Sequence, residues 1–223
     1  MNYELNTQHF KEKRGFSLIE FLVVISIFGI AASLITASYL NFERNQKVRN
    51  SAQQVKNDLR LTQNRALSGD KGPGGVCAST STLGGWYLLA TTGQTSYSIG
   101  GDCLTGVNET IFFETLGSAK TVKLPTDTKI NKIFYCAGNL VQPIAVLFRP
   151  LRGGVSFHNG GASFPGFFQN DGVTLDNLMP GLPQDSWVSI ELSDNNPTPT
   201  RFYWVKIGIT GEINESKTSP TGC

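Results

Sequence analysis

Histidine is almost missing from this chain: only His9 and His158 occur in 223 residues. Cysteine is scarce as well. The four cysteines all lie beyond residue 76, and no two form a CxxC pair. A tetrahedral zinc set needs several such ligands at close spacing, so no metal site is expected. There is no GxSxG stretch, and Asp102, Glu109 and Glu114 have no partner identifiable from the sequence, so the chain lacks the residues of a hydrolase or an acid–base pair. The glycine-rich stretch 68–75 lacks the Gly-Lys-Ser/Thr ending of a phosphate loop and follows a helical pattern, not a strand. Asp194-Asn195-Asn196 and Asp171…Asp176-Asn177 offer oxygen ligands to Ca²⁺, but without EF-hand spacing they read as turns. Charge is sparse too, and a net +2 is too small to imply a polyanionic partner. These absences read against an enzyme and against any cofactor.

Charge and proline are also absent from Phe21 to Phe42, a mostly apolar run. A spanning helix needs about 20 mostly apolar residues, and this run supplies them. Gly29 costs such a helix only about 1 kcal/mol relative to alanine. Lys11, Lys13 and Arg14 just before it place the N-terminus on the cytoplasmic side. Glu20, at the edge of the run, is the anomaly. A lone carboxylate in a membrane segment costs about 2.5–3.5 kcal/mol even on lenient scales and tends to mark function. An ordinary secretory signal would be cut after its apolar core, where Ala31-Ala32-Ser33 is a weak imitation. That reading leaves unexplained a Gly15 between the charges and the apolar run, with Glu20 beyond it.

Past Asn41, Val48, Ala52, Val55, Leu59, Thr62 and Ala66 recur at steps of four and three, which is one stripe of an amphipathic helix. With no proline or glycine from 30 to 68, one continuous helix is expected over 16–68, roughly 80 Å at 1.5 Å per residue. Gly69 and Pro73 end it. Short β-branched and aromatic runs bounded by turn residues then predict strands at 75–79, 86–90, 96–99, 110–113, 121–124, 130–135, 145–148, 154–157, 186–192 and 202–209. The last two are expected to pair antiparallel. Residues 159–179 read as a long loop, and His158 as a loop or surface residue. An even cysteine count on an oxidising side reads as two disulfides, with three connectivities open. Cys77–Cys103 with Cys136–Cys223 is favoured, the first closing a loop of about 27 residues worth roughly 3–4 kcal/mol in the chain-entropy model. The second would pin the C-terminus.

The segment Lys13-Arg14-Gly15-Phe16-Ser17-Leu18-Ile19-Glu20-Phe21-Leu22-Val23-Val24-Ile25 resembles the N-terminus of type IV pilins and type II secretion pseudopilins. The resemblance implies cleavage by a prepilin peptidase between Gly15 and Phe16, N-methylation of Phe16, and an assembly role for Glu20. Gly29 falls where the family commonly has glycine, whereas Ala37 stands where major pilins often carry proline. Val76-Cys77-Ala78-Ser79, Gly85-Trp86-Tyr87, Phe148-Arg149-Pro150…Gly153-Gly154-Val155 and the stretch 205–213 more loosely resemble the H-type minor pseudopilins and their type IV pilus counterparts. The implied fold is α+β: a long N-terminal helix packed on a head of antiparallel β-sheets. The implied organisation is a cleaved leader at 1–15, a membrane or filament-core half of the helix at 16–40, an amphipathic half at 41–68 and an extracytoplasmic β-rich head at 69–223.

The function implied is a minor pilin or pseudopilin subunit, built into or priming a type IV pilus or type II secretion filament. Its partners would be the peptidase, other pilin subunits, an inner-membrane assembly platform and membrane lipid. It would start as a single-pass inner-membrane protein with an extracytoplasmic head and end in a periplasmic or cell-surface filament. The alternative is a filament-tip module contacting DNA or a surface. The tail 211–223 holds Glu212 and Glu215 against the single cation Lys217, and phosphate affinity scales with cation number, so nucleic acid is not an expected partner.

Overall fold

The computed structural model describes residues 15, 17–106, 108–135, 138–140, 143–150, 154–160, 166–168, 174–175, 178, 187–196 and 201–219. Two compact units are present, Met1–Glu43 and Arg44–Cys223. In the first, the described secondary structure is the start of one helix, α1 (Leu18–Leu67). Its apolar side chains there are exposed, Leu18, Phe21, Ile27, Phe28 and Ile30 among them.

The second unit holds the rest of α1 and two antiparallel sheets. Val48, Ala52, Val55, Leu59, Thr62 and Ala66 are each at most 1% exposed, so the periodic stripe is the buried face of the helix. The helix ends as the sequence requires. Gly69 is left-handed (φ 68°). Its N–H bonds Ala66 O at 3.1 Å, and the Asp70 N–H reaches back to Arg65 O at 3.0 Å.

The first sheet runs β3 (Asn108–Phe112), β2 (Ser96–Thr105), β1 (Thr82–Ala90), β7 (Ile144–Phe148), β8 (Val155–Asn159), with β4 (Lys120–Lys123) also on β2. The second runs β11 (Ile213–Ser216), β10 (Phe202–Gly208), β9 (Trp187–Asp194), β5 (Thr128–Tyr135), β6 (Gly138–Leu140). The antiparallel β9–β10 pair expected from the sequence is present, with Val205 opposite Ile190. The helix is tied to both sheets. Gln54 Nε2 donates to Lys123 O at 3.0 Å and the Tyr97 hydroxyl donates to Asp58 on the first side. Ser51 Oγ donates to Thr128 Oγ1 at 2.9 Å and Lys56 Nζ lies 3.7 Å from Glu215 on the second. Burial, together with the Asp58 carboxylate, pushes the Tyr97 phenol well above its ordinary range.

One core joins these layers. Trp86 is fully buried, edge-on to Phe112 at 5.1 Å, with the Arg65 guanidinium 4.6 Å from its ring centre. Its indole N–H donates to Asp70 O at 2.7 Å. The Phe112 ring packs directly on Gly101, where a Cβ would stand 2.3 Å from a ring carbon. The first sheet is buried on its other face as well, by a small cluster of Tyr87, Ala145, Leu147 and Phe167. That is why β1 and β7 read as continuous apolar runs and not as alternation.

Three expectations are corrected. Residues 75–79 are not a strand: a turn of 3-10 helix occupies Pro73–Gly75, with Gly72, Gly74 and Gly75 all at positive φ. Cys77 leaves that coil to bond Cys103 on β2, with Cα atoms 5.7 Å apart, inside the normal span for a disulfide. His158 is neither on a loop nor at the surface: it lies in β8, fully buried. Asn159 closes β8, so the following loop begins later than expected, and the described part of it makes the isolated bridges Phe168–Leu175 and His158–Leu178. Cys136 and Cys223 lie outside the described residues, as do Phe16, Asp171, Asp176 and Asn177.

Candidate functional site: the N-terminal end of the helix

Gly15 is exposed, and a Cβ built on it would meet nothing within 4 Å. Two residues later the helix is capped. Ser17 Oγ accepts the N–H of Glu20 at 3.3 Å, and Ser17 O accepts the N–H of Phe21 at 3.2 Å. Ser17 is therefore the N-cap, with Glu20 three residues on, the position of the acid in a capping-box sequence. The S-x-x-E spacing ahead of an apolar run is a legible signal that the sequence reading passed over. An acidic group in the first turn also suits the positive end of the helix dipole.

Beyond Glu20 the described helix surface is apolar and uncovered. Three of its hydroxyls bond carbonyls of their own helix. Ser26 Oγ donates to Leu22 O at 2.8 Å, Ser33 Oγ to Ile30 O at 2.7 Å and Thr36 Oγ1 to Ala32 O at 2.8 Å. By length and composition this helix can cross a membrane. Glu20 and Gly15 sit at its start.

A second polar cluster, on the outer face of the first sheet, was invisible in the sequence. Asp102 on β2 and Glu109 on β3 lie diagonally across one ladder, since Asp102 pairs with Ile111 and Leu104 with Glu109. Asp102 is buried, and neither carboxylate oxygen has a hydrogen-bond partner among the described residues. Burial first, then the charge of Glu109, pushes its pKa up to about 8. Glu109 Oε1 accepts the N–H groups of Phe167 and Phe168 at 2.8 and 2.9 Å, holding that segment over the sheet. Burial, with Asp102 nearby, raises Tyr87 to about 12. Ser156 Oγ and His158 Nε2 are 2.8 Å apart on β8, with His158 edge-on to Phe167. These are the parts of a nucleophilic triad without its geometry. β8 is three strand spacings from β2, roughly 14 Å, and both His158 and Asp102 are sealed from solvent. Among the described residues no three His, Cys, Asp or Glu side chains could hold a metal ion.

The comparisons with known proteins fall on the N-terminal end. The family model for the prokaryotic N-terminal methylation motif matches residues 10–36, which span Gly15, Glu20 and half of the apolar run. Among curated proteins, the competence protein ComGD of Bacillus subtilis (strain 168) is 38% identical over 68 residues. That match covers 30% of this chain and 44% of the relative, so the chain spans less than half of the relative's length. No solved structure matches. The chain thus carries the prokaryotic N-terminal methylation motif, on a type IV pilin-like α+β fold.

Proposed function

We propose that this chain is a minor pilin or pseudopilin. In this reading a prepilin peptidase cuts it between Gly15 and Phe16 and methylates Phe16, and it then joins or primes a filament. The observation that carries the reading is the methylation motif at 10–36, running into a capped helix whose apolar side chains have no cover. An anchored subunit needs that surface in lipid, and a filament subunit needs it again against neighbouring helices. Type IV pili and type II secretion filaments both suit such a subunit. The likeness to a protein named for competence adds a third machinery.

Glu20 supplies the assembly chemistry. Cleavage leaves an amine on Phe16, one turn from a carboxylate held at the helix start. In a staggered bundle the Glu20 of one subunit meets the Phe16 amine of the next. Each charge is costly alone in a dry site, and losing one partner of such a pair costs about 3–5 kcal/mol. Mapping the mature terminus by mass spectrometry tests the processing step. Phe16 is expected as the first residue, and Gly15→Leu is expected to leave the precursor uncut. A terminus elsewhere, for instance after Ala32, refutes it.

A further inference from the structure

The outer face of the first sheet holds two carboxylates under one cover. Glu109 Oε1 accepts both the Phe167 and the Phe168 N–H, at 2.8 and 2.9 Å. Two donors on one oxygen favour the charged form of that acid. The backbone comes down this far because residue 166 is glycine: a Cβ there would overlap the Glu109 carboxylate. Asp102 has the opposite surroundings. It is 1% exposed, and neither of its oxygens meets a donor among the described residues. A Cβ on Gly84 would overlap both Asp102 Oδ2 and the Phe168 ring, so the ring lies beside the acid as part of its cover. Two carboxylates in one dry place do not both ionise cheaply, and the one without donors keeps its proton. We infer that residues 166–168 form a strap that closes over protonated Asp102 and is released when that proton passes to solvent.

The strap is built to move by itself. It belongs to neither sheet, and Phe168 is joined to Leu175 by an isolated bridge. Its anchor is Phe167, fully buried with Tyr87, Ala145 and Leu147. Lifting the strap wets Asp102 and uncovers that apolar cluster. The other titratable groups near it do not set the switch. Tyr87 on β1, raised to about 12, stays neutral well above neutral pH. His158 on β8 meets the strap through Phe167, three strands away from Asp102. Glu109 on β3 is the charge that acts on Asp102, and it opposes a second negative charge there. Under the closed strap Asp102 keeps its proton up to about pH 8, and once wetted only up to the ordinary 3.8. The closed form therefore holds one more proton between those values. Closing weakens by up to about tenfold per pH unit as pH rises from about 4 to about 8, and levels off beyond. The strap lies wholly in the second unit and works the same way whether or not the chain joins a filament.

Hydrogen exchange of the full-length protein in maltoside micelles provides the test. It is read by NMR at the Phe167 and Phe168 amides, with the intrinsic pH dependence of amide exchange removed. Between pH 5 and pH 8 their protection should fall at least about tenfold more than that of Ile190 and Val205 in the second sheet. Asp102→Asn keeps the shape of the acid and has no proton to lose, so its strap amides should stay protected across the range. Wild-type strap protection that is flat with pH overturns the proposal. A fall shared equally by strap and second sheet also overturns it, because the whole unit then loosens together. A fall that persists in Asp102→Asn overturns it as well, placing the proton on another group. The first two outcomes need no variant, so they decide even where Asp102→Asn fails to fold.

Discussion

Replacing Glu20 by Gln separates the two functions proposed for this residue. Glu20 stands at the fourth position of a capping-box sequence whose Ser17 accepts its N–H, and it is also the charge proposed to meet the Phe16 amine of a neighbour. Glutamine can complete a capping box as glutamate does, so the helix start is preserved. The charge is not. Losing the cap altogether costs about 0.5–2 kcal/mol, whereas stripping one partner from a dry charge pair costs about 3–5 kcal/mol. About 3 kcal/mol is roughly a hundredfold in an assembly equilibrium. Glu20→Gln and Glu20→Ala should therefore both insert, both be cut after Gly15, and both fall out of the filament to a similar degree. Ser17→Ala, which loses the cap and keeps the charge, should remain in it. The assay is the subunit's share in sheared or cross-linked filaments, beside carbonate extraction for insertion and terminal mapping for cleavage. If Glu20→Gln assembles at wild-type level while Glu20→Ala does not, Glu20 acts as a cap and the pairing argument is wrong. If both assemble normally, neither function governs assembly.

The remaining predictions concern the second unit. Leu59→Ala opens a cavity between the helix and both sheets and should destabilise by about 2–5 kcal/mol, read as a lowered denaturant midpoint at unchanged slope. Reducing Cys77–Cys103, or Cys77→Ser, should cost about 3–4 kcal/mol and loosen the coil before β1, seen as faster proteolysis around residues 70–81; unchanged stability would show the coil is held by its own hydrogen bonds. Asp102 should make stability fall with rising pH. Its folded pKa of about 8 exceeds the ordinary 3.8, so the native state binds the extra proton between those values, and stability present below pH 4 is lost up to pH 8. Asp102→Asn removes that term, so the variant should gain on the wild type from pH 5 to pH 8 in chemical denaturation; a constant difference would refute it.

The helix was legible because its information is local. Steps of three and four mark the buried stripe, and Gly69 marks the end. The strand centres were legible for the same reason, from Trp86–Ala90 to Phe202–Ile207. What failed depended on distant partners. β11 reads Ile213-Asn214-Glu215-Ser216, a polar stretch that becomes a strand by pairing with β10. β6 is three residues, Gly138–Leu140, extended only beside β5. Val76 and Cys77 read as strand because both are apolar, but the glycines before them take left-handed turns and the disulfide fixes the rest. His158 looked exposed because glycines follow it, yet it is set in β8 beside Ser156. At the candidate site, Gly15 and Glu20 stood out at once because charge and glycine are conspicuous in an apolar run. Asp102 and Glu109 are separated in the chain and meet only through the β2–β3 ladder.

The hydroxyl–carbonyl bonds within the membrane-length helix have a mechanical consequence. Ser26, Ser33 and Thr36 spend their donors on carbonyls of their own helix, so they offer none to a neighbour. In the filament proposed above, such stretches of neighbouring helices would exchange apolar contact for apolar contact as one slides along another, with little change in energy from one position to the next. Glu20 is the one charge between Leu18 and Phe42, so the resistance to sliding would be concentrated at the start of each helix.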